Sequence, residues 1–96
     1  MTSPVVLINA FVVSKDMEET FLKTWHETAV YMQQAPGFID TKLHRCLDPN
    51  GKFQFINIAH WESPEAYHAA LAQHEPGEKH LPIEANPALY TVEVTY

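Results

Sequence analysis

The hydrophobic period switches back and forth along this chain, and the order of those switches constrains its fold more than any other feature. Val5 to Val13 is apolar almost throughout, interrupted by Asn9, and reads as a strand buried on both faces. Ser14-Lys15-Asp16 breaks that pattern. From Asp16 to Gln34 the period becomes helical: Met17, Phe21, Trp25, Ala29 and Met32 recur every three or four residues and line one face. Asp16 is expected to cap this helix, and Ala35-Pro36-Gly37 ends it.

Two strands follow, Phe38 to Cys46 and Lys52 to Trp61, joined by Leu47-Asp48-Pro49-Asn50-Gly51. Pro49 presets its backbone angle and Asn50-Gly51 tolerate positive φ, so the pair is expected to be a hairpin. Glu62-Ser63-Pro64-Glu65 opens a second helix, with Ser63 as cap, Pro64 in the first helical position and Glu65 facing the positive end of the dipole. This helix is expected to run to about Gln73, burying Ala66, Tyr67, Ala70 and Leu71. His74 to Pro87 reads as a loop, and Ala88 to Thr95 as a last strand with Tyr90, Val92 and Val94 on one face.

The order is βαββαβ, the split-βαβ or ferredoxin-like arrangement of the α+β class, in one domain spanning residues 1–96. It implies an antiparallel sheet with both helices on one face. A monomer should then be polar on the other face. It is not: Val5, Leu7 and Phe11 alternate with Val6, Ile8 and Val12, and Phe53 and Phe55 with Ile56 and Ile58. Strands with two apolar faces need two covers. The helices supply one, and the sheet of a second copy, in a homodimer, is the expected other. A loop folded over the open face is the alternative.

Composition removes several function classes. The chain is 46% hydrophobic and 19% charged, ordinary globular values. With a net charge of −6 and only six Lys and Arg, neither nucleic acid nor an anionic membrane surface is an expected partner. No apolar run approaches the roughly 20 residues of a membrane span. Met1-Thr2-Ser3-Pro4 has neither a basic segment nor a cleavage site, and the sole Cys46 excludes an internal disulfide, so a cytoplasmic protein is expected.

By the two-residue period, Asn57 shares one side of the third strand with Phe53, Phe55, Ala59 and Trp61. A buried amide among aromatics must find hydrogen-bond partners, and it can hold a substrate carbonyl or phenol. Trp61 offers a flat wall and one N–H donor, and Tyr67, on the first turns of the second helix, can fold back towards the strand end. Together they can line a pocket for a small aromatic or hydrophobic ligand. Read from the residues alone, a core amide, a core indole and a helix-packing tyrosine is the simpler account.

Asn57-Ile58-Ala59-His60-Trp61-Glu62-Ser63-Pro64-Glu65-Ala66-Tyr67 resembles the core signature of the antibiotic-biosynthesis-monooxygenase family, and Ala35-Pro36-Gly37-Phe38 is also typical of it. The resemblance covers nearly the whole chain and implies a dimeric α+β barrel. In the family's polyketide-tailoring branch, the positions matching Asn57, Trp61 and Tyr67 line the site. The resemblance implies oxidation of a small phenol or quinol by dioxygen with no metal or flavin. Asn57 and Trp61 would orient the substrate oxygen and Tyr67 would shuttle a proton. That branch's basic residue after the second helix has no obvious counterpart, since Leu81 follows His80.

The family's haem-degrading branch offers a second carry-over, with Asn9 at the distal position and His80 as axial ligand. That branch's Trp late in the second helix is missing from His68-Ala69-Ala70-Leu71. Without haem, Asn9 is a buried amide and His80 a solvated side chain. A module that binds a small ligand without catalysis is the third possibility. The remaining histidines suggest no metal site: His44 and His60 are expected to face one another across the hairpin, without a third ligand. His26, His68 and His74 are expected to be exposed.

Overall fold

The computed structural model describes residues 4–96, so Met1-Thr2-Ser3 lies outside the described residues. Four strands, β1 (Val5–Val12), β2 (Phe38–Arg45), β3 (Phe55–Trp61) and β4 (Glu84–Tyr90), and two helices, α1 (Glu18–Met32) and α2 (Pro64–Gln73), follow in the order βαββαβ. The strands form one sheet in the order β2-β3-β1-β4, antiparallel throughout. This is the ferredoxin-like α+β arrangement expected from the periods.

Both helices pack on one face of the sheet. Phe11, Val13, Phe21 and Phe55 form one buried cluster at the start of α1, with Phe21 edge-on to Phe11 at 4.8 Å and stacked on Phe55 at 5.1 Å. Val5, Leu7, Met32, Ala59, Trp61, Tyr67 and Ala70 form a second beneath α2. The shortest extent is only 16 Å, enough for one sheet and one helix layer. Val6, Ile8, Val12, Ile56 and Ile58 therefore stay half-buried on the uncovered face.

Local chemistry explains the termini. Ser63 accepts the Ala66 N–H at 3.1 Å and Pro64 opens α2, as the sequence suggests. Asp16 does not cap α1. It accepts the Ser14 hydroxyl at 2.7 Å within a 3₁₀ turn, Lys15–Met17, that leads into the helix. The one positive φ among the described residues is at Gly37, not in the Asn50-Gly51 turn. Gly37, at φ 88, accepts the Glu62 N–H at 2.8 Å, and a Cβ there would run into that of Ala66.

Three boundaries or pairings differ from expectation. The β3 ladder begins at Phe55 rather than Lys52, because Gln54 turns inward: its Oε1 accepts the Val13 N–H at 2.8 Å and its Nε2 donates to Gly51. The last strand is Glu84–Tyr90, not Ala88 to Thr95. Pro87 is tolerated because β4 is an edge strand, where a missing N–H costs little. Asn86 secures the pairing, its backbone N–H donating to Asn9 Oδ1 and its amide to Ala10 O, both at 2.9 Å. Val92 and Val94 consequently lie beyond the sheet, 71% and 62% exposed. Finally, His44 and His60 do not face one another: the register sets His60 opposite Asp40, with a 2.6 Å contact, and His44 opposite Ile56.

Candidate active site

The two-residue period places Asn57, Ala59 and Trp61 on the helix-covered face of β3, and β1 sets Asn9 directly opposite Asn57. Trp25, Thr28 and Met32 of α1 and Tyr67 and Leu71 of α2 close the space above them, and Pro76 and Glu78 border it from the following loop. The cavity has a volume of about 60 Å³. That is room for about two waters, against the roughly 150 Å³ that holds a benzene ring. An aromatic ring enters only as the wall yields. Met32, unbranched, is the wall residue with most freedom to yield. A wider groove of about 560 Å³ lies outside, between the C-terminus of α1 and α2, and touches none of Asn57, Trp61 and Tyr67.

The polar atoms around the cavity are unevenly satisfied. Asn57, 8% exposed, accepts the Thr41 hydroxyl at its Oδ1 (2.6 Å), which leaves its Nδ2 amide as the available donor. Asn9 Oδ1 is taken by the Asn86 N–H. Trp61 is 1% exposed, edge-on to Phe38 at 5.4 Å and to Tyr67 at 5.7 Å, and its Nε1–H has no partner. A buried donor without a protein acceptor costs about 1–3 kcal/mol unless a molecule in the cavity accepts from it. Burial first, and the nearby Glu78 charge second, push the Tyr67 phenol above its ordinary range, so it holds its proton firmly.

The structure thus brings Asn57, Trp61, Tyr67 and Asn9 to one cavity. It does not bring His80 there. His80 lies on the surface, its side chain 70% exposed, with Nε2 3.1 Å from Glu75 Oε2, beside the Lys79–Glu75 ion pair. His26 and His68 are exposed as expected, whereas His74 is half-buried, its ring stacked on Tyr31 at 3.9 Å. One cavity residue escapes the sequence reading altogether. Glu78, in the 3₁₀ turn Gly77–His80, is buried at 7% exposure and accepts the Thr28 hydroxyl at 2.7 Å; Thr28 in turn accepts the Gly77 N–H at 3.3 Å. The available signal was Thr28, a polar residue three positions after Trp25 on the apolar stripe, which required a partner.

A family model described as antibiotic biosynthesis monooxygenase matches residues 4–76. A haem oxygenase (mycobilin-producing) of Mycobacterium tuberculosis is 31% identical over 96 residues, covering 95% of this chain and 89% of that protein. Among solved structures, a presumed monooxygenase from Shewanella loihica PV-4 is 37% identical, covering 99% of both chains with a TM-score of 0.86. SnoaB, a cofactor-independent oxygenase from Streptomyces nogalater, is 26% identical over 98% of this chain and 97% of its own, with a TM-score of 0.80.

Proposed function

The chain belongs to the antibiotic biosynthesis monooxygenase family, and from that premise we propose that it oxidises a small phenol or quinol with dioxygen, without a metal, flavin or haem. The observation that carries this reading is the buried, unpartnered Trp61 Nε1–H beside Asn57. Two donors in an aromatic-lined space suit the oxygen of a hydroxyaromatic anion. The likeness to a cofactor-independent oxygenase supports the same chemistry. For a phenol with a free para carbon, the anion passes an electron to dioxygen and a peroxide forms at that carbon. Its collapse leaves a quinone carrying one oxygen atom and releases the other as water. Asn57 and Trp61 orient the substrate oxygen, and Tyr67 donates and recovers a proton at the peroxide.

The working form is a homodimer. The uncovered strip of Val6, Ile8, Val12, Ile56 and Ile58 and the exposed Tyr90, Val92 and Val94 are the surfaces a second copy would cover, completing the α+β barrel.

Haem degradation is the second reading, favoured by the mycobacterial relative and by the position of Asn9 at the cavity. In this arrangement His80 is paired with Glu75 outside the cavity, and no imidazole lines the cavity to ligate haem. Oxygen uptake with 1-naphthol, using haem-free protein and a chelator, tests the first reading. Turnover lost in Asn57→Ala and Trp61→Phe supports it. No uptake above autoxidation, or uptake unchanged in both variants, rejects it.

A further inference from the structure

The cavity contains a carboxylate that the reaction above does not use. Glu78 is 7% exposed, yet no Lys or Arg pairs with it among the described residues, and its one hydrogen bond is from Thr28. A carboxylate offers about four acceptor sites, so most of its capacity is free to meet a ligand. A purely structural carboxylate would be expected to find a cation or several backbone donors. The donors here lie elsewhere on the wall, on Trp61 and Asn57. Glu78 is also the only carboxylate or imidazole lining the cavity. The other ionisable residue there, Tyr67, is held in its protonated form by burial and by Glu78 itself, which makes it a donor rather than a base.

Resting on the reading of this cavity as the phenol site, we propose that Glu78 is its general base and that the substrate enters as a neutral hydroxyaromatic. The carboxylate takes the hydroxyl proton. The O–H bond breaks, its electron pair stays on the aromatic oxygen, Glu78 becomes a carboxylic acid, and nothing is oxidised in this step. The proton later completes the water released on quinone formation. Trp61 and Asn57 hold the oxygen that has become anionic. Glu78 thereby sets specificity as well: ligands that arrive already anionic meet a buried like charge, and hydroxyaromatics with a transferable proton do not. Thr28 is a positioning residue that fixes the carboxylate.

The test uses 2-naphthol, whose excited state is a strong acid and whose emission distinguishes the neutral from the ionised form. Its para carbon is a ring-fusion position, so para oxidation is blocked and the readout is independent of oxygen chemistry. Bound to the wild-type protein, 2-naphthol is expected to emit from the naphtholate band. Glu78→Gln keeps the shape and should lose that band while still binding the probe. His80→Ala, outside the cavity, should retain the band. Failure of 2-naphthol to bind, neutral emission in the wild type, or a naphtholate band that survives Glu78→Gln overturns the proposal. A Glu78-dependent band in a protein that consumes no oxygen with phenols upholds the base and removes the oxygenase reading instead.

Discussion

Replacing Trp61 by Phe separates a ligand donor from a packing residue. In the unliganded protein the indole N–H is buried with no partner, which costs about 1–3 kcal/mol. Trp61→Phe removes that cost. It also removes part of a side chain in edge contact with Phe38 and Tyr67, a fraction of the roughly 3–5 kcal/mol that truncation to alanine costs. The two effects oppose one another, so the unfolding free energy should stay within about 1 kcal/mol of wild type, small against a typical total of about 5–15 kcal/mol. Binding behaves differently. A ligand oxygen left without its donor loses about 1–3 kcal/mol, or roughly 5- to 150-fold in affinity. Urea unfolding followed by circular dichroism, at fixed protein concentration, measures the first quantity, and 2-naphthol titration the second. A variant destabilised by about 3 kcal/mol or more with unchanged affinity would refute the reasoning, because the indole would then be a core side chain and nothing else.

Four further outcomes follow from the same structure. Tyr67 is held above its ordinary 10.0, chiefly by burial and then by Glu78. The unfolded chain therefore releases that proton first as pH rises, so wild type loses stability above about pH 10, and Tyr67→Phe should lose less over that window in alkaline urea titrations. Gly37→Ala forces a left-handed backbone on an L side chain and drives its Cβ into Ala66, so the urea midpoint should fall by the equivalent of at least about 1–2 kcal/mol. His80→Ala removes a surface pairing with Glu75, and should leave both 1-naphthol turnover and the melting temperature unchanged; a large loss of turnover would place His80 at the chemistry after all. Ile58→Glu puts a charge in the middle of the uncovered sheet face and should convert a dimer to monomers by analytical ultracentrifugation; a wild type already monomeric would contradict the dimer.

The parts of this fold that were legible are those where one local rule acts alone. Ser63 and Pro64 start α2 as their chemistry dictates, and the two-residue period puts Asn57 and Trp61 on the same face of β3. Tyr67 reaches the same cavity because the turn at Ser63 folds α2 back over the strand end. Where two rules compete, sequence pattern alone misplaces the element. Pro87 reads as a strand breaker, yet at the sheet edge it sits inside β4, so the strand lies closer to the second helix than its apolar alternation indicates. Glu78 shows the limit most clearly. Gly77-Glu78-Lys79-His80 has the composition of a solvated turn, and Lys79 and His80 do face solvent, while the acid between them is drawn under α1 by a threonine fifty residues earlier in the chain. A contact over that separation carries no local pattern. His80, conspicuous in the sequence, ends on the surface, and Glu78, inconspicuous, ends in the cavity wall.

If this cavity inserts one atom of dioxygen into a hydroxyaromatic without a cofactor, label from the dioxygen must appear in the quinone. Incubating haem-free, chelator-treated protein with 1-naphthol under labelled dioxygen and weighing the product by mass spectrometry tests it most directly. The expected product is 1,4-naphthoquinone carrying a single labelled oxygen, formed by the wild type and not by Trp61→Phe or Asn57→Ala. Quinone without label, or product formed only after haemin is added, would contradict it.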